Sequence, residues 1–144
     1  MLCAVIERLQ TLPALDGASD EVLGWLADHV EQVTFQPGEA LVTEGSPERD
    51  CYFVLQGHVE VTAGGQMRDT DGAGGVQGEL GLLFERPRAA TTMAVEPVTA
   101  LRLKASDFDA LASTRPEVAK AFARTLLEYL DFRFGFQPPD QRWA

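Results

Sequence analysis

The chain has 144 residues, a length typical of one domain. Hydrophobic residues make up 45% of it, which is enough for a packed core and argues against disorder. Twelve Lys and Arg against 22 Asp and Glu leave a formal net charge of -10, so nucleic acid and anionic membranes should repel the chain. Composition therefore argues against a DNA-binding module and against binding to a membrane surface.

The cysteines and the N-terminus bear on the cellular compartment. Cys3 and Cys51 show no CxxC or Cys/His spacing, which favours neither a disulfide scaffold nor a zinc site and fits a reducing environment. The first apolar run ends at Glu7 and Arg8, too early for a signal-peptide core or for the roughly 20 residues that span a bilayer. We therefore expect a cytoplasmic chain.

Helical patterns occupy both ends of the chain. Near the N-terminus, Ser19 is placed to cap a helix over residues 21–30, after a first helical segment at residues 2–9. Near the C-terminus, Ser106 and Asp109 have the spacing of a capping box, and Pro116 suits the first turn of a last helix. That last helix has a single apolar face: Val118, Phe122, Leu126 and Leu130.

Between the helices the apolar period changes from about 3.6 to about 2, and Gly, Pro and charged clusters separate the segments. The predicted strands lie at Val33–Phe35, Leu41–Thr43, Tyr52–Leu55, Val59–Val61, Thr92–Val95 and Leu101–Leu103. In the fifth strand, the larger apolar residues Met93 and Val95 alternate with Thr92 and Ala94. At least six short strands indicate an antiparallel jelly roll or β-roll, mainly β with helices at both ends.

A glycine-rich segment, residues 72–91, interrupts the strand pattern. Residues 78–84 are typical of one or two helical turns, and Arg88 follows them. A helix N-terminus and a guanidinium fork both suit a phosphate, whereas Glu79 suits the hydroxyls of a sugar such as ribose. The spacing is that of neither a Rossmann motif nor a P-loop. An anion site, a carboxylate and a β-enclosed cavity together indicate a nucleotide.

The cassette GELGLLFERPRAAT, residues 78–91, resembles the phosphate-binding cassette of the cyclic nucleotide-binding domain family. That family includes the regulatory subunits of cyclic-AMP-dependent kinase, gated ion channels and bacterial catabolite activator proteins. Residues 37–45 and 50–61 are similar to its early strand and its central hairpin. The resemblance covers roughly residues 12–131, so we expect a single domain over residues 1–144 with an aromatic-rich tail at 132–144.

The resemblance implies a set of ligand contacts. Glu79 would bind the ribose 2′-hydroxyl beside a backbone contact from Gly78, and Arg88 would pair with the cyclic phosphate. The N–H groups of Ala89 and Ala90 would complete the anion site. Members selective for cyclic GMP commonly have Thr at the position of Ala89, so its absence favours cyclic AMP over cyclic GMP. Three leucines would anchor the short helix in the roll: Leu80, Leu82 and Leu83.

The chain also departs from the family pattern. Gln77 stands where an aromatic residue often precedes the Gly-Glu pair, and Asp71 stands where an apolar strand residue is usual. Gly72, Gly74 and Gly75 fit a plain hairpin loop, and ordering them on binding would lower the affinity. In the family the region after the roll often covers the pocket, and a side chain caps the base. The aromatic candidates are Tyr129, Phe132, Phe134, Phe136 and Trp143, with core or dimer packing as the alternative.

We expect a cyclic nucleotide sensor without enzymatic activity, metal or cofactor. Residues 132–144 are too few for a helix-turn-helix domain, so we expect the moving C-terminal helix to signal to an effector protein or a second copy of the chain, unless the sequence is a gene fragment with no output. One alternative is an interaction module of the same fold with a silent pocket, in which Glu79 and Arg88 form a salt bridge. Another, a cupin-like metalloenzyme, would need clustered His and carboxylate ligands, and His29 and His58 stand apart from any such cluster.

Overall fold

The computed structural model describes residues 2–134, and the side chains of residues 4–133. Its strands are β1 Glu31–Phe35, β2 Ala40–Val42, β3 Cys51–Gln56, β4 Val59–Ala63, β5 Gln66–Asp71, β6 Val76–Gln77, β7 Thr91–Ala94 and β8 Val98–Leu103. They form two four-stranded antiparallel sheets, ordered β1-β8-β3-β6 and β2-β7-β4-β5. Strands that are distant in sequence are therefore neighbours in each sheet, as a roll requires.

Helices flank this roll, which confirms the predicted fold class. They are α1 Leu2–Gln10, a 3-10 turn Pro13–Leu15, α2 Asp20–His29, α3 Leu80–Leu83, α4 Ala105–Thr114 and α5 Pro116–Phe134. No helix within residues 2–134 is both long and apolar enough to cross a lipid bilayer.

The terminal helices pack together through the apolar faces that the sequence predicts. Ser19 caps α2, since its hydroxyl oxygen accepts the Val22 N–H at 3.2 Å. Trp25 of α2 contacts Phe122 of α5 with ring centroids 6.2 Å apart, and Phe122 is fully buried. Burying an aromatic side chain of this size stabilises the fold by roughly 1.5–3 kcal/mol. The C-terminal helix is thus anchored to the N-terminal helices along its first three turns.

The predicted capping box at Ser106 does not form. α4 begins at Ala105, with Lys104 as its N-cap two residues before Ser106, and the Ala105 N–H donates to the Asp50 carboxylate at 2.9 Å. Asp109 instead pairs with the Arg49 guanidinium, also at 2.9 Å. Arg49 and Asp50, which precede β3, therefore bind the first turns of α4, because the fold brings them next to this helix.

In β7 the smaller residues are buried and the larger apolar residues are exposed, the opposite of what the sequence pattern predicts. Met93 and Val95 are 40% and 44% exposed, whereas Thr92 is buried. Thr92 lies opposite Val42 of β2 and Val61 of β4, and both of these face the interior. Because a one-residue shift would turn every side chain over, the register with two neighbouring strands decides the buried face.

Two strands next to the cassette have no clear sequence signal. β5 is polar, QMRDTD, and β6 has only two residues. The glycine loop between them is more than the plain hairpin loop that we expected. The Gly74 N–H donates to the Val54 carbonyl at 2.8 Å, and the Val54 N–H donates to the Gly75 carbonyl at 2.9 Å. These bonds attach the loop to the middle of β3.

Candidate functional site

A cleft of about 670 Å³, including its open mouth, lies beside α3. It is lined by all six residues that the sequence predicts for the ligand: Gly78, Glu79, Leu80, Arg88, Ala89 and Ala90. Apolar side chains of three strands form another part of its wall: Val42, Val61 and Val76. The cleft therefore combines an apolar surface with charged groups of both signs, as small-molecule sites commonly do.

Arg88 is the buried cation of the cleft, with 7% of its surface exposed. One terminal nitrogen donates to the Gly78 carbonyl at 3.0 Å, and the other donates to the Glu48 carboxylate at 2.9 Å and to the Asp50 carbonyl. Its Nε is also buried, yet it has no acceptor among the described residues. Because a buried donor without an acceptor is costly, this atom is a candidate for a ligand contact.

Backbone geometry brings the guanidinium to this position. A Cβ on Gly78 would lie 2.7 Å from the Asp50 carbonyl oxygen, and a Cβ on Gly81 would lie 2.5 Å from an Arg88 nitrogen. Any larger residue at either position would therefore displace the arginine or the chain. The backbone of Arg88 is held as well, because its N–H donates to the Ser46 carbonyl at 2.8 Å.

Glu48 and Asp50 belong to the site although the sequence analysis did not identify them. Glu48 supports Arg88 from the loop before β3, and its other carboxylate oxygen accepts the Asp50 N–H at 2.6 Å. The available signal was the charged run of residues 48–50 directly before a buried strand. Charge alone could not show that this run lies against the cassette 40 residues further along the chain.

Glu79 is buried at the start of α3, with 5% of its surface exposed. Its side chain makes no capping hydrogen bond to the helix, so the carboxylate does not serve to begin α3. Burial raises the pKa of the neighbouring Cys51 thiol well above its usual value, and the negative charge of Glu79 raises it further. A carboxylate in such an environment is suited to accept hydrogen bonds from hydroxyl groups.

The short helix is a single turn of four residues, and its own dipole is correspondingly small. The N–H groups of Ala89 and Ala90, which the sequence predicts for the anion, lie after this helix and have no hydrogen-bond partner within residues 2–134. Of the three predicted anchors, Leu82 is buried and Leu83 packs against the core, whereas Leu80 lines the cleft.

The end of α5 supplies a charged side chain to the cleft, and the sequence analysis missed it. Arg133 lines the cleft and pairs with Asp69 at 2.8 Å and with Asp71 at 2.6 Å. Burial by itself would lower the pKa of Arg133, but the hydrogen bond and the charges of these two carboxylates outweigh it and raise the pKa. The guanidinium therefore stays charged. Its position three residues after the buried Leu130 was the available signal.

The aromatic candidates for a cap divide into three groups. Tyr129 is half-buried, and burial raises its pKa, which the negative charges of Asp71 and Glu79 raise further. Phe132 is 90% exposed. Trp143, Phe136 and the side chain of Phe134 lie outside the described residues.

Within the described part of the chain, no three His, Cys, Asp or Glu side chains are placed to share a metal ion. His29 instead stacks on Trp25 with ring centroids 4.6 Å apart, and His58 pairs with Glu96 at 2.6 Å.

An antiparallel roll with flanking helices and an internal cassette helix is the fold of cyclic nucleotide-binding domains. The sequence model of that family, described as "Cyclic nucleotide-binding domain", matches residues 32–115, from β1 to the end of α4. The chain belongs to this family.

Relatives of known name agree with this assignment. A cyclic nucleotide-gated potassium channel of Mesorhizobium japonicum is 35% identical over 95 residues, which are 66% of this chain and 26% of the channel. A cAMP-dependent protein kinase regulatory subunit of Dictyostelium discoideum is 30% identical over 114 residues, 74% of this chain and 35% of the subunit. The chain spans about a quarter to a third of the length of the curated relatives it matches.

Solved structures share the fold. A cyclic nucleotide-binding domain from Methylobacillus flagellatus has a TM-score of 0.76 at 24% identity and covers 92% of this chain and 78% of its own. The regulatory subunit of a cAMP-independent protein kinase A from Trypanosoma brucei has a TM-score of 0.78 at 22% identity, with coverage of 97% and 47%.

Proposed function

We propose that this chain is a cyclic nucleotide sensor, without enzymatic activity, that binds cyclic AMP in preference to cyclic GMP and signals through the position of α5. The observation that carries the proposal is Arg88, a buried guanidinium on the wall of the cleft whose Nε has no acceptor among the described residues. A phosphate would satisfy that donor and add a charge-assisted hydrogen bond of about 1.5–3 kcal/mol.

The other groups match the remaining parts of such a ligand. The N–H groups of Ala89 and Ala90 would donate to phosphate oxygens beside Arg88. Glu79 would accept from the ribose 2′-hydroxyl, with Gly78 as a backbone contact. The purine would lie against the apolar wall.

A silent pocket is the second candidate function, and one contact favours it. The Glu48 carboxylate already pairs with Arg88, so a bound phosphate would compete with an existing ion pair. In this case the same fold would act only through protein contacts. The sequence-based form of this alternative is a direct pair between Glu79 and Arg88.

A titration separates the two candidates. We expect calorimetry to detect one molecule of cyclic AMP per chain and weaker binding of cyclic GMP. At a hundredfold excess over Kd, the ligand should raise the free energy of unfolding by about 2.7 kcal/mol, a shift in Tm of roughly 5–10 °C. Adenosine 5′-monophosphate is the control for a cyclised phosphate. If neither cyclic nucleotide gives a heat of binding or a shift in Tm, the silent pocket is the function that the data favour.

The preference for cyclic AMP has its own test at Ala89, which is exposed and lines the cleft. We expect Ala89→Thr to raise the affinity for cyclic GMP by roughly 5- to 100-fold, because the hydroxyl would hydrogen-bond the guanine amino group. Ala89→Val has nearly the same shape without the hydroxyl and should leave cyclic GMP binding unchanged. An equal gain in both variants would assign the effect to shape and contradict the proposed contact.

The partner that reads the signal would be an effector protein or a second copy of the chain. α5 exposes Leu127 and Phe132, which are 49% and 90% accessible to solvent. A helix that carries large exposed apolar side chains is suited to a protein contact.

We propose the cytoplasm as the location, because Cys51 is a free, buried thiol.

A further inference from the structure

The two residues that depart from the family pattern contact each other. Gln77 Nε2 donates to Asp71 Oδ2 at 2.9 Å, and Gln77 is 7% exposed. A buried amide or carboxylate without a hydrogen-bond partner destabilises the fold, and this hydrogen bond offsets part of that cost for both residues. Replacing Asp71 would take away the acceptor of the buried Gln77 amide nitrogen.

Further hydrogen bonds extend this pair in both directions. On the cleft side, the Thr92 hydroxyl donates to the Gln77 side-chain oxygen at 3.1 Å. On the outer side, Arg133 of α5 donates to the same Asp71 oxygen at 2.6 Å. We call these four residues, Thr92, Gln77, Asp71 and Arg133, the polar relay. It connects the β7 wall of the cleft to the end of α5.

The local geometry makes the outer end of the relay a firm attachment. Asp69 and Asp71 are two residues apart on β5, so both side chains point to the same side of the strand. Arg133 contacts both carboxylates and also the Thr70 carbonyl, at 3.1 Å. Its side chain is 23% exposed, and that of Asp71 is 12% exposed. Ion pairs with this degree of burial are screened less than surface pairs.

We propose that the polar relay fastens the last turn of α5 at the edge of the cleft and thereby sets how fast a bound ligand leaves. Three of its members line the cleft: Thr92, Gln77 and Arg133. Gln77 directly precedes the Gly78-Glu79 pair, so any movement of the cassette on binding acts on the relay. Asp71 and Gln77 are positioning residues that hold Arg133. The release of ligand rests on the proposed function, whereas the attachment of α5 does not.

The attachment is tested first, in the ligand-free protein. Arg133→Gln removes both ion pairs at the end of α5, whereas Asp71→Asn removes the pair with Asp71 and leaves the pair with Asp69. We expect both variants to speed hydrogen exchange in the last turns of α5 while the exchange of β3 stays unchanged. Arg124→Gln is the matched control, because Arg124 is an exposed arginine on the same helix. Exchange at the wild-type rate in both variants would overturn the proposal.

The effect on release is tested by stopped flow with a fluorescent cyclic AMP analogue. Loss of the relay should raise the dissociation rate roughly five- to thirtyfold and leave the association rate nearly unchanged. Arg133→Lys should restore part of the wild-type rate, and the double variant Asp71→Asn/Arg133→Gln should match Arg133→Gln alone. Additive effects, or a change confined to association, would contradict the relay. If the wild-type chain binds neither nucleotide, the proposed function fails, and hydrogen exchange still decides whether the relay holds α5.

Discussion

Arg88→Lys should weaken cyclic AMP binding by roughly 30- to 1,000-fold while the chain remains folded. Lysine keeps the positive charge, but it lacks the planar fork and the Nε that lies buried without an acceptor in residues 2–134. The loss corresponds to about 2–4 kcal/mol, the value of one or two charge-assisted hydrogen bonds. Calorimetric titration measures Kd, and urea unfolding measures the stability of the variant.

The alanine variant makes the same point at a larger cost to folding. Arg88→Ala should abolish measurable binding and lower the free energy of unfolding by about 3 kcal/mol, since it leaves Glu48 and two carbonyl groups without their donor. Arg115→Ala is the control. Arg115 pairs with Glu21 at 3.1 Å on the surface, and its loss should cost less than about 1 kcal/mol and leave binding intact. Binding that survives Arg88→Ala would refute the phosphate assignment.

Glu79→Gln should weaken cyclic AMP binding by roughly 10- to 150-fold, through loss of a hydrogen bond between a hydroxyl and a charged acceptor. The variant nearly preserves the shape of the side chain, so the buried position at the start of α3 should stay filled. The ligand 2′-deoxy cyclic AMP lacks the hydroxyl in question. The wild-type chain should bind this ligand weakly, and Glu79→Gln should change its Kd little. Calorimetry of both ligands with both protein variants gives the four Kd values of a thermodynamic cycle.

The control for this prediction is Glu85→Gln in the same loop. The Glu85 side chain is 83% exposed and lies 3.7 Å from Arg49, so its removal should leave both affinities unchanged. Equal losses for cyclic AMP and its 2′-deoxy form in Glu79→Gln would show that Glu79 shapes the cleft and does not contact the ribose.

Periodicity and caps predict an element well where its own residues decide its burial. The cap at Ser19 forms as predicted, and the apolar face of the last helix is buried at Phe122 and Leu126. In β4, Val59 and Val61 are buried in strict alternation. These patterns are local, since one side of each element must leave water whatever else the chain does.

Prediction from the sequence fails where a partner distant in sequence makes the decision. The start of α4 depends on Asp50, which lies 55 residues before Ala105. The buried face of β7 depends on its register with β2 and β4, and so Thr92 is buried in place of Met93. β5 has a polar sequence because it pairs through its backbone with β4 and uses its carboxylates to bind Arg133.

By itself, the sequence determined the helix, roll and helix order, the family and the cassette, because Gly78, Glu79 and Arg88 lie within one short, contiguous segment. Only the tertiary structure revealed Glu48 as the support of Arg88, and Arg133 as the part of α5 that reaches the cleft. The physical reason is that hydrogen bonds and ion pairs act over a few ångströms, while these partners are separated by 40 and more residues of chain. Their contacts exist only after the sheets and helices have packed.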